Sequence, residues 1–148
     1  MEKLNRNKYL FISVKPEFAK KLLSKEKSIE LRKLKPNVAK GDYIVIYASS
    51  PVKCVVGFGK IKQIIVTTPL QMWNEHSDVL GIDKQRFDEY YANKTKAIGI
   101  ELESIKSSLP ISLSQLRSLF AGFHPPQVYR YVTNEQICKA ISAYINQL

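Results

Sequence analysis

The sequence has few of the residues that usually form disulfide frameworks, metal sites or catalytic triads. It contains two cysteines and two histidines in 148 residues, and these four are well separated. Cys54 lies in a strand-like run and Cys138 in a helical one, which predicts two buried thiols in a cytoplasmic protein. His76 and His124 match neither the spacing of metal ligands nor that of a Ser-His-Asp triad. We therefore expect no metal and no cofactor.

Long apolar runs and glycine-rich loops are also missing. The first apolar run, Tyr9–Val14, lacks a small-residue cleavage site behind it, so we do not expect a signal peptide. No run reaches the length of a membrane span, and we expect no membrane partner. Gly57-Phe58-Gly59 lacks the further glycines and the following helix of a phosphate loop. A 45% hydrophobic content can bury one core, so residues 1–148 are predicted to form a single domain, with a monomer favoured.

Acidic residues are scarce in the first part of the chain. Residues 1–62 contain 15 Lys or Arg and 5 Asp or Glu, whereas residues 63–148 contain 8 of each, so the net charge of +10 arises entirely from residues 1–62. A basic lobe on a neutral domain favours a polyanionic partner, with nucleic acid ahead of an anionic membrane surface. The alternative is a generic solubilising surface.

The residues that are present predict short strands alternating with short helices. The predicted strands are Tyr9–Val14, 25–33, Tyr43–Tyr47, Val52 to about Val66, Ala97–Leu102 and Gln127–Tyr131. The predicted helices cover 16–24, two segments of a helical insertion at about 68–92, a segment that begins near Ser112, and about 133–147. Because the crossovers are brief, this order predicts an α+β fold, a small mixed β-barrel with peripheral helices and a C-terminal helix.

An unusual strand lies in the charged segment 25–33. Ile29 and Leu31 alternate with polar residues, which places the two apolar side chains on one strand face. Ser28, Glu30 and Arg32 share the other face. A carboxylate and a guanidinium two residues apart can form a charge-assisted pair that still has donors for a third group. The alternative is a solvated strand face of alternating charge.

The order of these motifs resembles a known family. Residues 11–16 (Phe-Ile-Ser-Val-Lys-Pro) precede a helix, residues 27–32 follow it with the motif Lys-x-x-Glu-x-Arg, and residues 40–42 (Lys-Gly-Asp) precede a strand. This combination resembles the ASCH family, a branch of the PUA-like barrels. In that family the helix normally ends in Gly-x-Lys-x-x-Glu-x-Arg, and here Lys25 stands at the glycine position.

The resemblance extends over about residues 9 to 131. Tyr47–Pro51, Pro110–Leu113 and Pro125–Tyr131 look like a bacterial and archaeal ASCH-like group often described as predicted transcriptional regulators. The resemblance implies a PUA-like barrel with a cleft between the first helix and the sheet that holds RNA or a nucleoside. The expected partner is therefore nucleic acid, with RNA ahead of DNA, or a nucleotide.

The resemblance and the charge pattern together indicate candidate binding residues. Lysine and arginine side chains would contact phosphates or base edges, and Glu30 would orient Arg32 or accept from an exocyclic amine. Tyr47 and Tyr129 are candidates for stacking on a base, although tyrosines in strands are often core residues. The predicted nucleic-acid-binding residues are Lys15, Lys27, Glu30, Arg32, Tyr47, Ser49, Ser50, Tyr129 and Arg130.

Two alternatives to a binding module stay open. Some ASCH relatives cleave RNA or remove an acyl group from a modified cytidine, so an enzyme of either kind would use Lys27 and Glu30 as catalytic residues. The amidohydrolase relatives have a threonine at the position of Glu30, so we do not transfer that activity. A lysine can serve as a general base only if burial or neighbouring cations lower its pKa, whereas a nearby Glu30 would raise this pKa. The second alternative is an adaptor that binds a protein through the aromatic residues of the insertion, between Trp73 and Tyr91.

Overall fold

The computed structural model describes residues 9–119, 123–124 and 129–132. The strands in these residues are β1 (Tyr9–Val14), β2 (Ile29–Arg32), β3 (Tyr43–Ala48), β4 (Cys54–Thr67), β5 (Ala97–Ser112) and β6 (Tyr129–Val132). The helices are α1 (Pro16–Ser24), α2 (Pro69–His76), α3 (Lys84–Tyr90) and α4 (Leu113–Leu119), with a short 3₁₀ helix at Ser77–Val79.

The six described strands form one sheet in the order β2-β5-β4-β3-β1-β6. β1 and β3 are parallel, and the other neighbouring pairs are antiparallel. The sheet curls into a half-barrel, with β2 and β6 at its two edges. This architecture confirms the predicted α+β class with a small mixed sheet of five to six strands.

Irregularities in β4 help the sheet to curl. The pairing of β4 with β5 shifts register between Val55 and Gly57, as expected for a bulge that increases local twist. A Cβ atom on Gly57 would lie 2.6 Å from Leu23 Cδ2 and 2.7 Å from the carbonyl oxygen of Lys106. No side chain fits there, so the predicted bulge or close backbone approach at this glycine is confirmed.

The helices begin where capping residues predict. The side-chain oxygens of Thr68, Asp83 and Ser112 each accept a hydrogen bond from the backbone N–H three residues later. Each such cap contributes about 1 kcal/mol because it satisfies a donor that has no partner inside the helix. The insertion predicted at about 68–92 accordingly contains α2, the 3₁₀ helix and α3.

Two hydrophobic clusters lie on opposite faces of β1 and β3. The first contains alternate residues such as Leu10, Ile12 and Ile46, and it packs on Ala19 and Leu22 of α1. The second cluster lies on the other face with α4, and its members are Tyr9, Phe11, Val45, Tyr47, Val55, Phe58, Ile111, Leu116 and Phe123. Because both faces of these strands are covered, their sequences are apolar nearly throughout.

A third cluster joins the insertion to the edge strand. Ile29 and Leu31 of β2 pack against Met72, Leu80 and Phe87 from the insertion. The apolar face predicted for β2 is therefore covered by α2 and α3. This contact holds the insertion against the apolar face of β2. As a consequence, the polar face of β2 points into the space between α1 and α3.

Four predictions need correction or lie outside the described residues. β5 continues to Ser112 rather than ending near Leu102, because exposed polar residues after Glu103 hide the strand pattern. Cys54 is half-buried rather than buried. Cys138 and the predicted helix at about 133–147 lie outside the residues that the structure describes. The helices within the described residues are all too short and too polar to cross a membrane.

Candidate functional site

The charged side chains of the Lys-x-x-Glu-x-Arg motif converge below the protein surface. Glu30 Oε2 accepts a hydrogen bond from Arg32 Nη2 at 2.8 Å, and Glu30 Oε1 lies 3.5 Å from Lys27 Nζ. The exposed fractions of Lys27, Glu30 and Arg32 are 2%, 6% and 9%. The alternative of a solvated strand face is therefore wrong. We call these three side chains the charged cluster.

Backbone carbonyls of the insertion hold the lysine end of the charged cluster. The carbonyl oxygens of residues 79–81 each accept one hydrogen bond, from the backbone N–H of Ser28 at 3.0 Å, from Lys27 Nζ at 2.6 Å and from Lys21 Nζ at 2.9 Å. Because the insertion supplies these acceptors, it determines the direction of Lys27, which strand alternation alone does not fix.

Burial lowers the pKa of Lys27 below its ordinary value. The loss of solvation is the largest cause; Glu30 opposes it, and the positive charges of Arg32 and Lys21 reinforce it. The expected upward effect of Glu30 on this pKa is present, but burial of the amine outweighs it, so the net pKa is lowered. A lysine with a lowered pKa can take up or release a proton nearer neutral pH.

Arg32 connects the charged cluster to the rest of the sheet. Its Nη2 also donates to the carbonyl oxygen of Ser13, at 3.1 Å, near the end of β1. The carbonyl oxygen of Arg32 accepts a hydrogen bond from the hydroxyl of Tyr91 at 2.9 Å. The guanidinium is therefore held between β1 and β2, while its backbone is held by the insertion.

An open cleft of about 610 Å³ has the charged cluster at its floor. Lys15, which is exposed, and Ser49, which is half-buried, line this cleft as well. The other lining residues are Ser13, Val14, Phe18, Leu31, Ile82, Arg86, Glu89 and Tyr90. Its walls are thus α1 on one side and α3 with the preceding loop on the other, and β2 lies between them.

An ion pair bridges the two walls of the cleft. The guanidinium of Arg86 donates to both carboxylate oxygens of Glu17, at 3.0 and 2.7 Å, and lies 4.9 Å from the ring centre of Phe18. Lys27 Nζ lies 5.4 Å from the same ring centre. The hydrogen bond to Arg86 lowers the pKa of Glu17. Such bidentate geometry fixes the guanidinium plane at the cleft mouth.

The structure separates the other predicted site residues. Tyr47 is buried in the second hydrophobic cluster, because it shares a strand face with Val45 rather than with the residues that face α1. Its predicted stacking on a base therefore does not apply to this cleft. Ser50 is exposed and lies outside the cleft lining. Tyr129 and Arg130 belong to β6, but their side chains lie outside what the structure describes, so their roles stay predictions.

Sequence reasoning missed the wall that α3 provides. Arg86, Glu89 and Tyr90 have the spacing i, i+3, i+4, which places them on one helix face. That spacing was readable in the sequence, but nothing in it shows that this face turns toward β2. Phe18 was assigned only to the apolar face of α1, although it is half-buried and lines the cleft.

The described residues do not contain a group of three or more histidine, cysteine or acidic side chains arranged for a metal ion. His76 lies 3.7 Å from the carboxylate of Glu75 and outside the cleft lining. His124 is exposed. The aromatic residues of the insertion pack on one another, with Trp73 and Phe87 ring centres 5.1 Å apart. Because Trp73 and Tyr90 keep some exposure, an adaptor role for the insertion stays a prediction.

Comparison with known proteins gives concordant matches. Residues 10–113 match the sequence model of a family described as Domain of unknown function (DUF365). A protein of Zymomonas mobilis described as "ASCH domain-containing ribonuclease" is 33% identical over 131 residues, which are 88% of each chain.

Solved structures agree with that match. The crystal structure of ASCH from Zymomonas mobilis has a TM-score of 0.85 and 32% identity, with 90% of this chain and 94% of that chain covered. A hypothetical protein from Leishmania major has a TM-score of 0.57 at 12% identity, with 98% and 99% covered. The second likeness concerns the fold alone.

Proposed function

Because the chain belongs to the ASCH family and to the family described as DUF365, we propose that it binds RNA in the cleft between α1, β2 and α3. The observation that carries this proposal is the charged cluster, which is buried at the floor of an open cleft. Even when buried charges are paired, the cost of their desolvation offsets much or all of their attraction. A cluster of three at a cleft floor is therefore better explained by a ligand than by stability.

The cleft offers separate contacts for the phosphate and for the base. Lys15 is exposed at the mouth and Arg86 is held there by Glu17, so both can contact a phosphate. The rings of Phe18 and Tyr90 are half-buried and line the cleft. Stacking of a base on an aromatic ring contributes about 1 to 3 kcal/mol, and single-stranded RNA exposes its bases for such contacts.

Glu30 has a positioning role in this proposal. Its two carboxylate oxygens face Arg32 and Lys27 respectively, so it holds both cations in one geometry. Arg32 then has a fixed guanidinium plane for a phosphate or a base edge.

Binding to labelled single-stranded RNA at low salt tests the proposal. Arg32→Gln should weaken the affinity about tenfold or more, whereas Lys96→Gln removes the same charge from an exposed lysine outside the cleft and should change it about twofold at most. Equal losses from the two variants would show that only the overall charge matters, and the cleft would not be the site. No binding by the wild-type protein would reject the function itself.

A second candidate function is RNA cleavage in the same cleft. It is favoured by the lowered pKa of Lys27, which allows the amine to exchange a proton, and by the description of the Zymomonas relative as a ribonuclease. Labelled RNA incubated with the wild-type protein and with Lys27→Met separates the two candidates. Cleavage that Lys27→Met abolishes supports an enzyme, and intact RNA in both samples supports a binding module.

Further proposals concern the setting of this function. We propose that the protein acts in the cytoplasm as a monomer and prefers RNA to DNA. Light scattering would test the monomeric state. Competition between RNA and DNA of one sequence would test the preference for RNA. A role in transcription, implied by the resemblance to predicted regulators, is the finer hypothesis. It requires that loss of the protein changes transcript synthesis rates rather than transcript lifetimes.

A further inference from the structure

A second concave surface lies outside the cleft and carries three lysines. It has a volume of about 510 Å³ and lies between the segment that follows β2 and the middle of β4. Lys35, Lys40 and Lys62 line it together with Val38, Ala39, Gln63 and Ile64. We call the three lysines the lysine patch.

The backbone around the lysine patch is held in place. The N–H of Gly41 donates to the carbonyl of Ile61 at 2.9 Å, and the N–H of Ile61 donates to the carbonyl of Asp42 at 2.8 Å. The carboxylate of Asp42 is buried and accepts a hydrogen bond from the N–H of Ala39 at 2.8 Å. This buried carboxylate therefore shapes the loop that carries Lys40.

The remaining charge of the surface is positive. Glu101 approaches Lys62 at 3.5 Å, and its other oxygen accepts from Gln63 at 2.6 Å. Across the described part of the chain, no ion pair involves Lys35 or Lys40. The described lining of the hollow thus contains three lysines and no acidic residue, which is an arrangement suited to anionic groups.

The lysine patch lies close to the cleft along the chain. Arg32 forms part of the cleft floor and Lys35 lines the patch, only three residues later. Three residues span about 10 Å at most, so the two sites are within reach of one nucleic-acid strand. Lys33, which lies between them, extends over the ring of Tyr90 in the cleft wall, with 4.5 Å from Nζ to the ring centre.

We propose that the lysine patch binds the phosphate backbone of the RNA strand whose nucleotide occupies the cleft. This inference rests on the proposed function and extends it, because it makes the preferred substrate an oligonucleotide longer than the cleft can hold. In proteins that bind single-stranded nucleic acid, a positively charged groove that follows the phosphate backbone commonly accompanies the aromatic side chains on which the bases stack.

The test compares two RNA lengths at several salt concentrations. The triple variant Lys35→Gln, Lys40→Gln, Lys62→Gln should bind a 20-nucleotide RNA at least tenfold more weakly, and its dependence of log affinity on log salt should become shallower by about 2, since each lost phosphate contact contributes about 0.7. Binding of a trinucleotide should stay unchanged, because it fills the cleft alone. The matched control is Lys94→Gln, Lys96→Gln, Lys106→Gln, which removes the same charge from exposed lysines elsewhere.

Each outcome decides between clear alternatives. Equal effects of the patch and control variants on the longer RNA would overturn the inference, as would equal losses for both RNA lengths. Binding to vesicles rich in anionic lipid is measured as well. If the patch variant loses only vesicle binding, the inference is overturned and a membrane contact is indicated. If Arg32→Gln is neutral while the patch variant binds weakly, the cleft assignment fails, and the inference that one strand occupies both sites fails with it, although the patch itself binds RNA. If the wild-type protein binds neither RNA, both proposals fail.

Discussion

Lys25 occupies a backbone conformation that suits glycine. It ends α1 with φ 69° and ψ 11°, and its N–H donates to the carbonyl of Leu22. The ASCH motif has glycine at this position, and the left-handed conformation explains why. In this chain a lysine therefore forms the turn, and it bears the conformational strain.

We predict that Lys25→Gly stabilises the protein. Relief of the left-handed strain should exceed the entropy cost of glycine in the unfolded chain, with a net gain of about 0.5 to 1 kcal/mol in the free energy of unfolding. Urea denaturation of the wild type and the variant measures this change in the free energy of unfolding. The control is Lys20→Gly, at an exposed position inside α1, which should lose about 1 kcal/mol. A loss at both positions would contradict the account of this turn.

Lys27 should make stability depend on pH in an identifiable direction. Its pKa in the folded protein is lowered, mainly by burial, whereas in the unfolded chain it is about 10.4. Between these two values the unfolded chain binds more protons, so this lysine makes the free energy of unfolding rise with pH. The effect begins near the lowered pKa and is complete above about pH 10.4.

Wild-type protein and Lys27→Met provide the comparison for this prediction. The free energy of unfolding of the wild type, minus that of Lys27→Met, should increase as pH rises through the alkaline range. Subtraction removes the titration of groups that both proteins share. A difference that stays flat would mean that the amine is solvated, and one that falls with rising pH would mean that Glu30 outweighs burial and raises the pKa of Lys27; either would contradict this prediction.

At the level of elements, the insertion acts as one wall of the cleft. Residues 79–81 offer three successive carbonyls to the segment around Lys27, and Gly81 among them has φ 64°. A Cβ atom on Gly81 would lie 2.8 Å from Lys27 Cβ. Close packing of this backbone against the lysine stem therefore requires glycine.

Gly81→Ala should both destabilise the protein and disturb the site. We expect a loss of about 1 to 3 kcal/mol in the free energy of unfolding from backbone strain, and a several-fold loss of RNA affinity because Lys27 must move. Gly41→Ala is the matched control, since Gly41 has φ 93° but nothing within 4 Å of its Cβ position. With a trinucleotide, which does not reach the lysine patch beside Gly41, it should lose stability and keep its RNA affinity. If Gly41→Ala weakens RNA binding as much as Gly81→Ala, the effect is due to stability and not to Lys27.

The sequence predicted the elements better than their contacts. Local signals such as Thr68, Asp83 and the proline that opens α1 determine where helices begin, and these are visible without a structure. The pairing of Glu30 with Arg32 followed from strand alternation. Their burial did not, because it depends on α3 lying across β2, a contact between residues about sixty positions apart. The same limit applied to Tyr47, whose strand face was readable only after β3 was placed between α1 and α4.

At the scale of the whole molecule, the uneven charge has a structural location. The excess of lysine and arginine over acids in residues 1–62 includes Lys15, Lys27 and Arg32 in the cleft and the lysine patch beside it. α3, in the less basic part of the chain, closes the cleft with Arg86 and Tyr90. The basic lobe thus supplies most residues of the site, and the insertion supplies one wall of the cleft.

The central claim is that the charged cluster positions RNA, and a comparison of two glutamates tests it. Glu30→Gln and Glu26→Gln make the same change in net charge, but Glu26 is exposed and lies outside the cleft lining. Glu17 is unsuitable because it holds Arg86.

The measurement is the affinity of both variants for one single-stranded RNA, with folding verified by thermal unfolding. Glu26→Gln should bind slightly more tightly because the protein gains positive charge. Glu30→Gln should bind at least about fivefold more weakly, since Arg32 and Lys27 lose the carboxylate that orients them. Equal, slight tightening by both variants would contradict the account.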